Sequence, residues 1–209
     1  MIELFKHILH LDFEWLFQNY NDAVYIILFL VIFIETGMVI MPFLPGDSLL
    51  FTAGLFARLG YLNMAFLTTL LFVAAVIGDN TNYWIGRKIG LRVLHIKFRG
   101  KNLVKQEYID KTHTFFEKYG AKTIIMARFV PIVRTFSPFV AGVAEMNYRK
   151  FLSFDILGGA LWIFSLTFAG YFLGEIPWIR KNIEIVALGI IFISVLPIIL
   201  QVIKAKRSK

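Results

Sequence analysis

The sequence contains no cysteine among its 209 residues, which excludes disulfide bonds, thiolate nucleophiles and cysteine-ligated metal sites. Charged residues are also scarce, at 17%, whereas 58% of the residues are hydrophobic and the mean hydropathy is +0.69. A soluble surface of ordinary polarity needs more polar residues than this composition leaves. We therefore predict one membrane domain over residues 1–209, since about 20 mostly apolar residues suffice to cross a bilayer.

Common catalytic motifs are missing as well. The sequence has neither a G-x-x-x-x-G-K-[ST] phosphate-binding loop nor a G-x-S-x-G nucleophile elbow, and its four histidines lie outside any H-E-x-x-H zinc motif. We expect no enzyme activity, no cofactor and no bound metal. Lys and Arg outnumber Asp and Glu by 22 to 14, and in a membrane protein such an excess favours contact with anionic lipid headgroups over nucleic acid.

Hydropathy divides the chain into apolar and polar segments. Residues 1–22 mix apolar and charged side chains, which predicts an amphipathic helix lying in the membrane interface. Residues 87–120 are basic and amphipathic, and we interpret them as a cytoplasmic linker. Four apolar stretches are long enough to span the bilayer: 23–41, 61–84, 151–174 and 183–203.

Two further apolar segments are interrupted by proline. Residues 42–57 begin with Pro42-Phe-Leu-Pro-Gly-Asp47, and residues 121–146 contain Pro131 and Pro138. Proline inside a helix removes a hydrogen-bond donor and clashes with the preceding turn, so neither segment is expected to cross as a straight helix. We predict two re-entrant hairpins, because irregular backbone is tolerated at membrane depth only where protein or water satisfies its polar groups.

The distribution of Lys and Arg predicts the orientation, because short basic loops stay in the cytoplasm. Ten of these residues lie between Arg87 and Lys122, two more are Arg149 and Lys150, and four lie in the tail, 204–209. With all three regions cytoplasmic, including the C-terminus, the first hairpin enters from outside and the second from the cytoplasm. The acidic amino-terminal segment is then cytoplasmic too, which charge counting does not support.

An internal similarity agrees with this topology. Motifs of residues 42–86 recur in residues 121–174 at offsets of 84 to 88 residues: Pro45 with Pro131, Asp47 with Arg134, Ala53-Gly54 with Ala141-Gly142, Leu62-Asn63 with Met146-Asn147 and Phe66-Leu67 with Phe151-Leu152. Each copy contains one broken segment and one span, so the second copy is inverted, as in many secondary transporters. Chance is the alternative, since proline, glycine and leucine are common. The predicted fold is an all-α polytopic membrane protein with four transmembrane helices and two opposed re-entrant hairpins in an inverted repeat.

Ionisable residues inside these apolar segments are functional candidates, because each costs a few kcal/mol at membrane depth. Glu35 lies within the first span, Asp47 follows the first break, and Arg128 and Arg134 flank Pro131. In one interpretation the arginines bind an anionic lipid phosphate while Glu35 and Asp47 exchange protons. In the other the four side chains form a structural ion-pair network. Arg128 also fits a snorkelling position at the cytoplasmic interface.

Two more acids lie in the spans. Asp79 belongs to a polar run that we interpret as an interfacial helix end, with cavity lining as the alternative. Asp155 lies one turn inside the third span and is a further candidate for lining the cavity. The spans also contain Gly86-x-x-x-Gly90 and Gly170-x-x-x-Gly174, whose small-residue spacing favours close helix packing or formation of a homo-oligomer.

Several of these features follow a fixed order over residues 23–175: Glu35, Pro42-Phe-Leu-Pro-Gly-Asp47, Ala53-Gly54, Gly78-Asp79, Tyr83-x-x-Gly86-x-x-x-Gly90, Phe116-x-x-x-Gly120, Arg128-Phe-Val-Pro131-x-x-Arg134, Ala141-Gly142-x-x-x-Met146, Phe151 and Gly158 to Trp162. Together they resemble the DedA family of SNARE-associated or VTT-domain membrane proteins. The resemblance implies that Glu35, Asp47, Arg128 and Arg134 are the functional residues.

The resemblance also implies a role in envelope integrity and proton-motive-force homeostasis in the bacterial cytoplasmic membrane. Some bacterial relatives translocate undecaprenyl phosphate, and eukaryotic relatives are lipid scramblases. We therefore expect a proton-coupled transporter of an anionic lipid phosphate, most simply undecaprenyl phosphate. The alternatives are a proton-coupled antiporter for small cations or drugs, a general phospholipid scramblase, and a membrane scaffold without transport activity.

Overall fold

The computed structural model describes residues 13–38, 46–93, 97–98, 101–102 and 122–182, together with residues 186 and 189. These residues form helices and one ladder of two short strands. The helices are α1 (Phe13–Gly37), α2 (Gly46–Arg58), α3 (Met64–Val93), α4 (Lys122–Ala127), α5 (Pro131–Val143), α6 (Tyr148–Leu173) and α7 (Pro177–Lys181). Strands β1 (Lys97–Phe98) and β2 (Lys101–Asn102) pair antiparallel. Apart from this ladder, the described part of the chain is all-helical, which confirms the predicted class.

The chain divides into two compact units. Unit 1 contains the described parts of residues 1–30, 43–71 and 163–209, and unit 2 contains those of residues 31–42 and 72–162. Helices α1, α3 and α6 each contribute one part to each unit. In unit 1 the fully buried side chains include Leu50 and Leu55 of α2 and Leu67 and Leu71 of α3.

The core of unit 2 is aromatic. Tyr83 of α3 stacks on Phe151 of α6 with 4.4 Å between ring centroids, and Ile124 and Ala141 complete the cluster. The Tyr83 hydroxyl also donates to the carbonyl oxygen of Met146 at 2.5 Å. These contacts fix α3 against α6 and against the turn that follows α5.

Two helices in the described part of the chain are long and apolar enough to cross a membrane. They are Met64–Lys88 and Tyr148–Leu173, with mean hydropathies of 1.5 and 1.7. Both overlap predicted spans, but α3 continues to Val93. The linker predicted over residues 87–120 therefore starts as helix, and residues 94–96, 99–100 and 103–120 of it lie outside the described residues.

Helix α1 contains a kink near its amino-terminal end. Tyr20 has φ −133° and ψ 27°, which interrupts the helical backbone of α1 close to residue 22, where the predicted interfacial helix ends. Residues 1–12 of that helix lie outside the described residues. Helix α1 ends at Gly37, earlier than the predicted end of the first span at residue 41. Of the predicted span 183–203, residues 186 and 189 alone belong to the described residues.

The second proline-containing segment is broken, as predicted. Helix α4 ends at Ala127, the chain turns through residues 128–130, and Pro131 occupies the first turn of α5. Proline suits this position because the first N–H groups of a helix have no partner within it. Pro138, in contrast, lies inside α5 without ending it. In the first segment, residues 46–57 are helical, and Pro42 and Pro45, on which its predicted break depends, lie outside the described residues. The re-entrant course of both segments, and the count of four spans, stay predictions.

The two copies of the repeat share the same backbone turn. Gly60 after α2 and Glu145 after α5 have positive φ angles of 89° and 53°. In each case the N–H of the next residue donates to a carbonyl five residues earlier, at 3.1 and 3.0 Å, which closes a Schellman-type cap. Asn63 and Asn147 then cap α3 and α6 through their side-chain oxygens. This recurrence supports the predicted repeat.

Candidate functional site

Glycines bring α5 very close to α3 in unit 2. A Cβ added to Gly86 would overlap the carbonyl oxygen of Phe139, and one added to Gly142 would overlap that of Tyr83. Only glycine permits such an approach of two backbones. The contact therefore sets where α5 begins relative to α3, and with it the position of Arg134.

The same packing occurs in unit 1. Gly54 of α2 faces the carbonyl of Thr167, and Gly170 of α6 faces that of Phe51, with no room for a Cβ at either glycine. In each unit, the short helix of one repeat packs on the long helix of the other repeat. The leading glycines of both Gly-x-x-x-Gly motifs, Gly86 and Gly170, thus serve packing within the chain.

Arg134 lies near the start of α5 and is buried. Its Nη2 atom is 2.5 Å from Oε1 of Glu35 on α1, and the two side chains are only 4% and 1% exposed. The guanidinium carbon also lies 4.2 Å from the ring centroid of Trp162 on α6, a cation–π contact. One carboxylate–guanidinium pair expected from the sequence is therefore present.

Arg128 lies in the turn between α4 and α5 and is also buried, with 3% of its side chain exposed. Its Nη2 atom contacts a carboxylate oxygen of Asp79 on α3 and one of Asp155 on α6. The interfacial interpretations were wrong in both cases. Arg128 does not snorkel, and Asp79 lies midway along α3 rather than at a helix end.

Two glycines of α6 leave the space that Arg128 occupies. A Cβ added to Gly158 would lie 3.2 Å from Cδ of Arg128, and one added to Gly159 would lie 3.5 Å from its guanidinium carbon. The arginine side chain therefore runs along the surface of α6 at this pair of glycines. This packing gives a physical reason for Gly158 and Gly159 beside the buried Asp155.

Asn82 links the backbone beside Glu35 to the backbone beside Arg134, and sequence reasoning did not single it out as a site residue. Its Nδ2 atom donates to the carbonyl oxygens of Thr36 and Thr135, at 3.0 and 2.8 Å. These threonines directly follow Glu35 and Arg134 in the sequence. The buried side-chain amide of Asn82 therefore links the two backbone segments that carry the ion pair. The available signal was the polar run from Asp79 to Asn82 inside an apolar helix.

The five buried charged side chains among the described residues all belong to unit 2: Glu35, Asp79, Arg128, Arg134 and Asp155. Three are acids and two are bases, so their formal sum is −1. Some of their buried atoms have no hydrogen-bond partner among the described residues: Asp79 Oδ1, Asp155 Oδ2, Arg128 Nε and Arg128 Nη1. Such atoms are uncommon in protein interiors, and here they supply acceptors and donors beside one another.

Asp47 is the fourth of the residues predicted to be functional, with Glu35, Arg128 and Arg134, and it belongs to unit 1. It lies in the first turn of α2 and is half-buried. Its counterpart in the repeat, Arg134, occupies the beginning of α5 in unit 2. The described residues contain no group of three or more His, Cys, Asp or Glu side chains arranged to hold a metal ion.

Comparison with known proteins agrees with this architecture. The VTT domain model matches residues 44–172. The chain is 47% identical to Protein DedA of Escherichia coli (strain K12) over 98% of its length and 94% of that protein. It is 43% identical to the uncharacterized membrane protein Rv0364 of Mycobacterium tuberculosis (strain ATCC 25618 / H37Rv), covering 93% of this chain and 86% of the relative.

A third relative is the inner membrane protein YqjA of Escherichia coli (strain K12), which is 34% identical over 81% of this chain and 77% of its own. No solved structure matches. The domain match, the near full-length identity and the order of the motifs lead to one conclusion: the chain belongs to the DedA family of VTT-domain membrane proteins.

Proposed function

We propose that this membrane protein translocates an anionic lipid phosphate, undecaprenyl phosphate, across the bacterial cytoplasmic membrane in a proton-coupled reaction. The supporting observation is the buried pair of Arg134 and Glu35. A guanidinium fork matches the geometry of a phosphate. In the absence of lipid, the Glu35 carboxylate occupies the same donors and keeps the arginine from being a buried unpaired charge.

Transport then proceeds by exchange of anions on Arg134. Removing one partner of a buried ion pair costs about 3–5 kcal/mol, so Glu35 leaves only when a phosphate replaces it or a proton neutralises it. Trp162 keeps contact with the guanidinium carbon throughout. The lipid tail stays in the bilayer while the headgroup binds at Arg134.

Two observations support the proposed location. Helices α3 and α6 are candidate membrane spans, and the relative YqjA is named an inner membrane protein. In the proposed topology the basic linker, Arg149, Lys150 and the C-terminal tail face the cytoplasm. The broken segments dip in from opposite sides.

The first test is translocation by the Arg134→Ala variant in proteoliposomes loaded with labelled undecaprenyl phosphate. We expect the rate to fall about 10- to 100-fold, because a charge-assisted hydrogen bond to the phosphate is lost. The control is Arg149→Ala, since Arg149 is exposed at the start of α6.

A second variant separates function from folding. Glu35→Gln with Arg134→Gln removes both charges of the ion pair together, so it is expected to fold but not to transport. Full transport or full complementation of a deletion strain by this double variant would contradict the proposal. It would favour a structural network in a scaffold protein.

The excess of buried acid over base favours a second candidate, a proton-coupled antiporter for small cations or drugs. Three buried carboxylates against two guanidiniums give a negative site that attracts cations. Uptake of a labelled cation by proteoliposomes without lipid translocation would support this candidate. Translocation of many phospholipids, independent of headgroup and of a pH gradient, would instead indicate a scramblase.

A further inference from the structure

Arg134 forms a buried ion pair with Glu35. Arg128 brings two buried acids together. Arg128 contacts Asp79 and Asp155 through the same nitrogen, Nη2. Two carboxylate oxygens on one nitrogen are necessarily close neighbours, and both carboxyl groups are buried, at 1% and 0% exposure. We call Asp79, Arg128 and Asp155 the triad.

The triad carries more negative than positive charge. Its facing groups come from three places: Asp79 on α3, Arg128 in the turn between α4 and α5, and Asp155 on α6. On α1 and α5, the buried charges are Glu35 and Arg134, which neutralise each other. No other charged side chain among the described residues is buried, so the formal charge of −1 belongs to the triad.

Two carboxylates that share one buried site do not readily ionise together, because like charges at short distance repel and neither is solvated by bulk water. Asp79 Oδ1 and Asp155 Oδ2 lack a hydrogen-bond partner among the described residues. One added proton brings the triad to neutrality and turns one of the acids into a donor for the other.

We propose that the triad binds a single exchangeable proton, shared by Asp79 and Asp155, and that this is the proton coupled to transport. The role in coupling rests on the proposed function, whereas the shared proton does not. The proposal moves the coupling from Glu35 and Asp47, the acids that sequence reasoning selected, to a pair of acids on α3 and α6.

The consequence for Arg128 is direct. With both acids ionised, the guanidinium is held by two negative partners. When a proton binds, one ionised carboxylate remains, and the donors Nε and Nη1, which have no partner among the described residues, are available to a phosphate oxygen. Proton binding and phosphate binding then favour each other, as reciprocal linkage requires.

The shared proton is tested by infrared difference spectroscopy of the purified full-length protein between acidic and alkaline pH. The wild type is expected to show the C=O band of one buried carboxylic acid that disappears as pH rises. The band should be lost in both Asp79→Asn and Asp155→Asn. It should persist in the matched control Asp22→Asn, because Asp22 is exposed on α1.

The coupling is tested separately by the pH dependence of lipid translocation. A single coupled proton changes a rate by up to about tenfold per pH unit, and this dependence should become flat in either single variant. Absence of the band in the wild type, or its persistence in both variants, would overturn the proton site. A normal band with no lipid translocation by the wild type would refute the proposed function and leave the site intact. A normal pH dependence in both variants would overturn the coupling.

Discussion

At the scale of single residues, the environment of Arg134 explains how a charge is kept at depth in an apolar protein. One side of the guanidinium meets the Glu35 carboxylate, and its face meets the Trp162 ring. In the proposed mechanism the carboxylate is exchanged for a phosphate, whereas the indole keeps its contact with the guanidinium. Trp162 therefore acts as a positioning residue for Arg134, and it is itself buried, at 2% exposure.

Replacing Trp162 by Leu should reduce the apparent affinity for the lipid phosphate about 2- to 30-fold, since a desolvated cation–π contact contributes about 0.5–2 kcal/mol. Trp162→Phe retains an aromatic face and should lose much less. The measurement is the initial translocation rate as a function of lipid concentration. Equal losses in the two variants would show that packing volume, and not the aromatic face, is what matters.

At the scale of the helices, the two glycine contacts explain how short helices can carry functional residues. Helices α2 and α5 each have 13 residues, and an isolated helix of that length is marginal. Backbone contact with α6 in unit 1 and with α3 in unit 2 supplies the packing that they need. The position of each short helix is therefore determined by the glycines of its long partner.

Adding a methyl group at Gly86 or Gly170 should destabilise the protein, because each Cβ would overlap a backbone carbonyl that cannot rotate away. Overpacking of this kind costs about 1–3 kcal/mol or more. The thermal unfolding midpoint in detergent is expected to fall by about 3–10 °C for Gly86→Ala and for Gly170→Ala. Gly189→Ala is the control, since a Cβ there meets nothing within 4 Å among the described residues. A similar midpoint for all three would contradict the packing argument.

At the scale of the whole molecule, some structural features occur twice, whereas the buried charges of the described residues occur in only one unit. The Schellman-type caps and the capping asparagines occur once in each predicted copy, and close glycine contacts occur in each unit. The buried charges of the described residues all lie in unit 2. The two copies therefore resemble each other in turns and packing but not in their buried charges.

The topology predicts opposite accessibility at the two ends of α6. The chain has no cysteine, so a single introduced thiol reports its own position. Lys150→Cys should be labelled by an impermeant maleimide only in inside-out vesicles, and Ile176→Cys only in intact cells or spheroplasts. Both native residues are exposed. Labelling of both positions from one side would show that α6 does not cross the membrane.

Sequence reasoning identified the buried charges better than it identified their contacts. Glu35, Arg128 and Arg134 were singled out because a charge inside an apolar run is visible without a structure, and the break before Pro131 follows from proline's own geometry. Asp79 was assigned to a helix end because local hydropathy falls there. A polar run inside a long helix looks the same in sequence whether it faces water or a buried partner.

The amino-acid sequence by itself determined the membrane class, the helical segments and the break at Pro131, because hydropathy and proline act over a few neighbouring residues. Only the tertiary structure decided which acid meets which arginine. The partners of Arg128 are 49 and 27 residues away, and Glu35 is 99 residues from Arg134. Such pairings depend on how closely α1, α3, α5 and α6 approach one another, and that distance is set by glycines whose partners lie in a different helix.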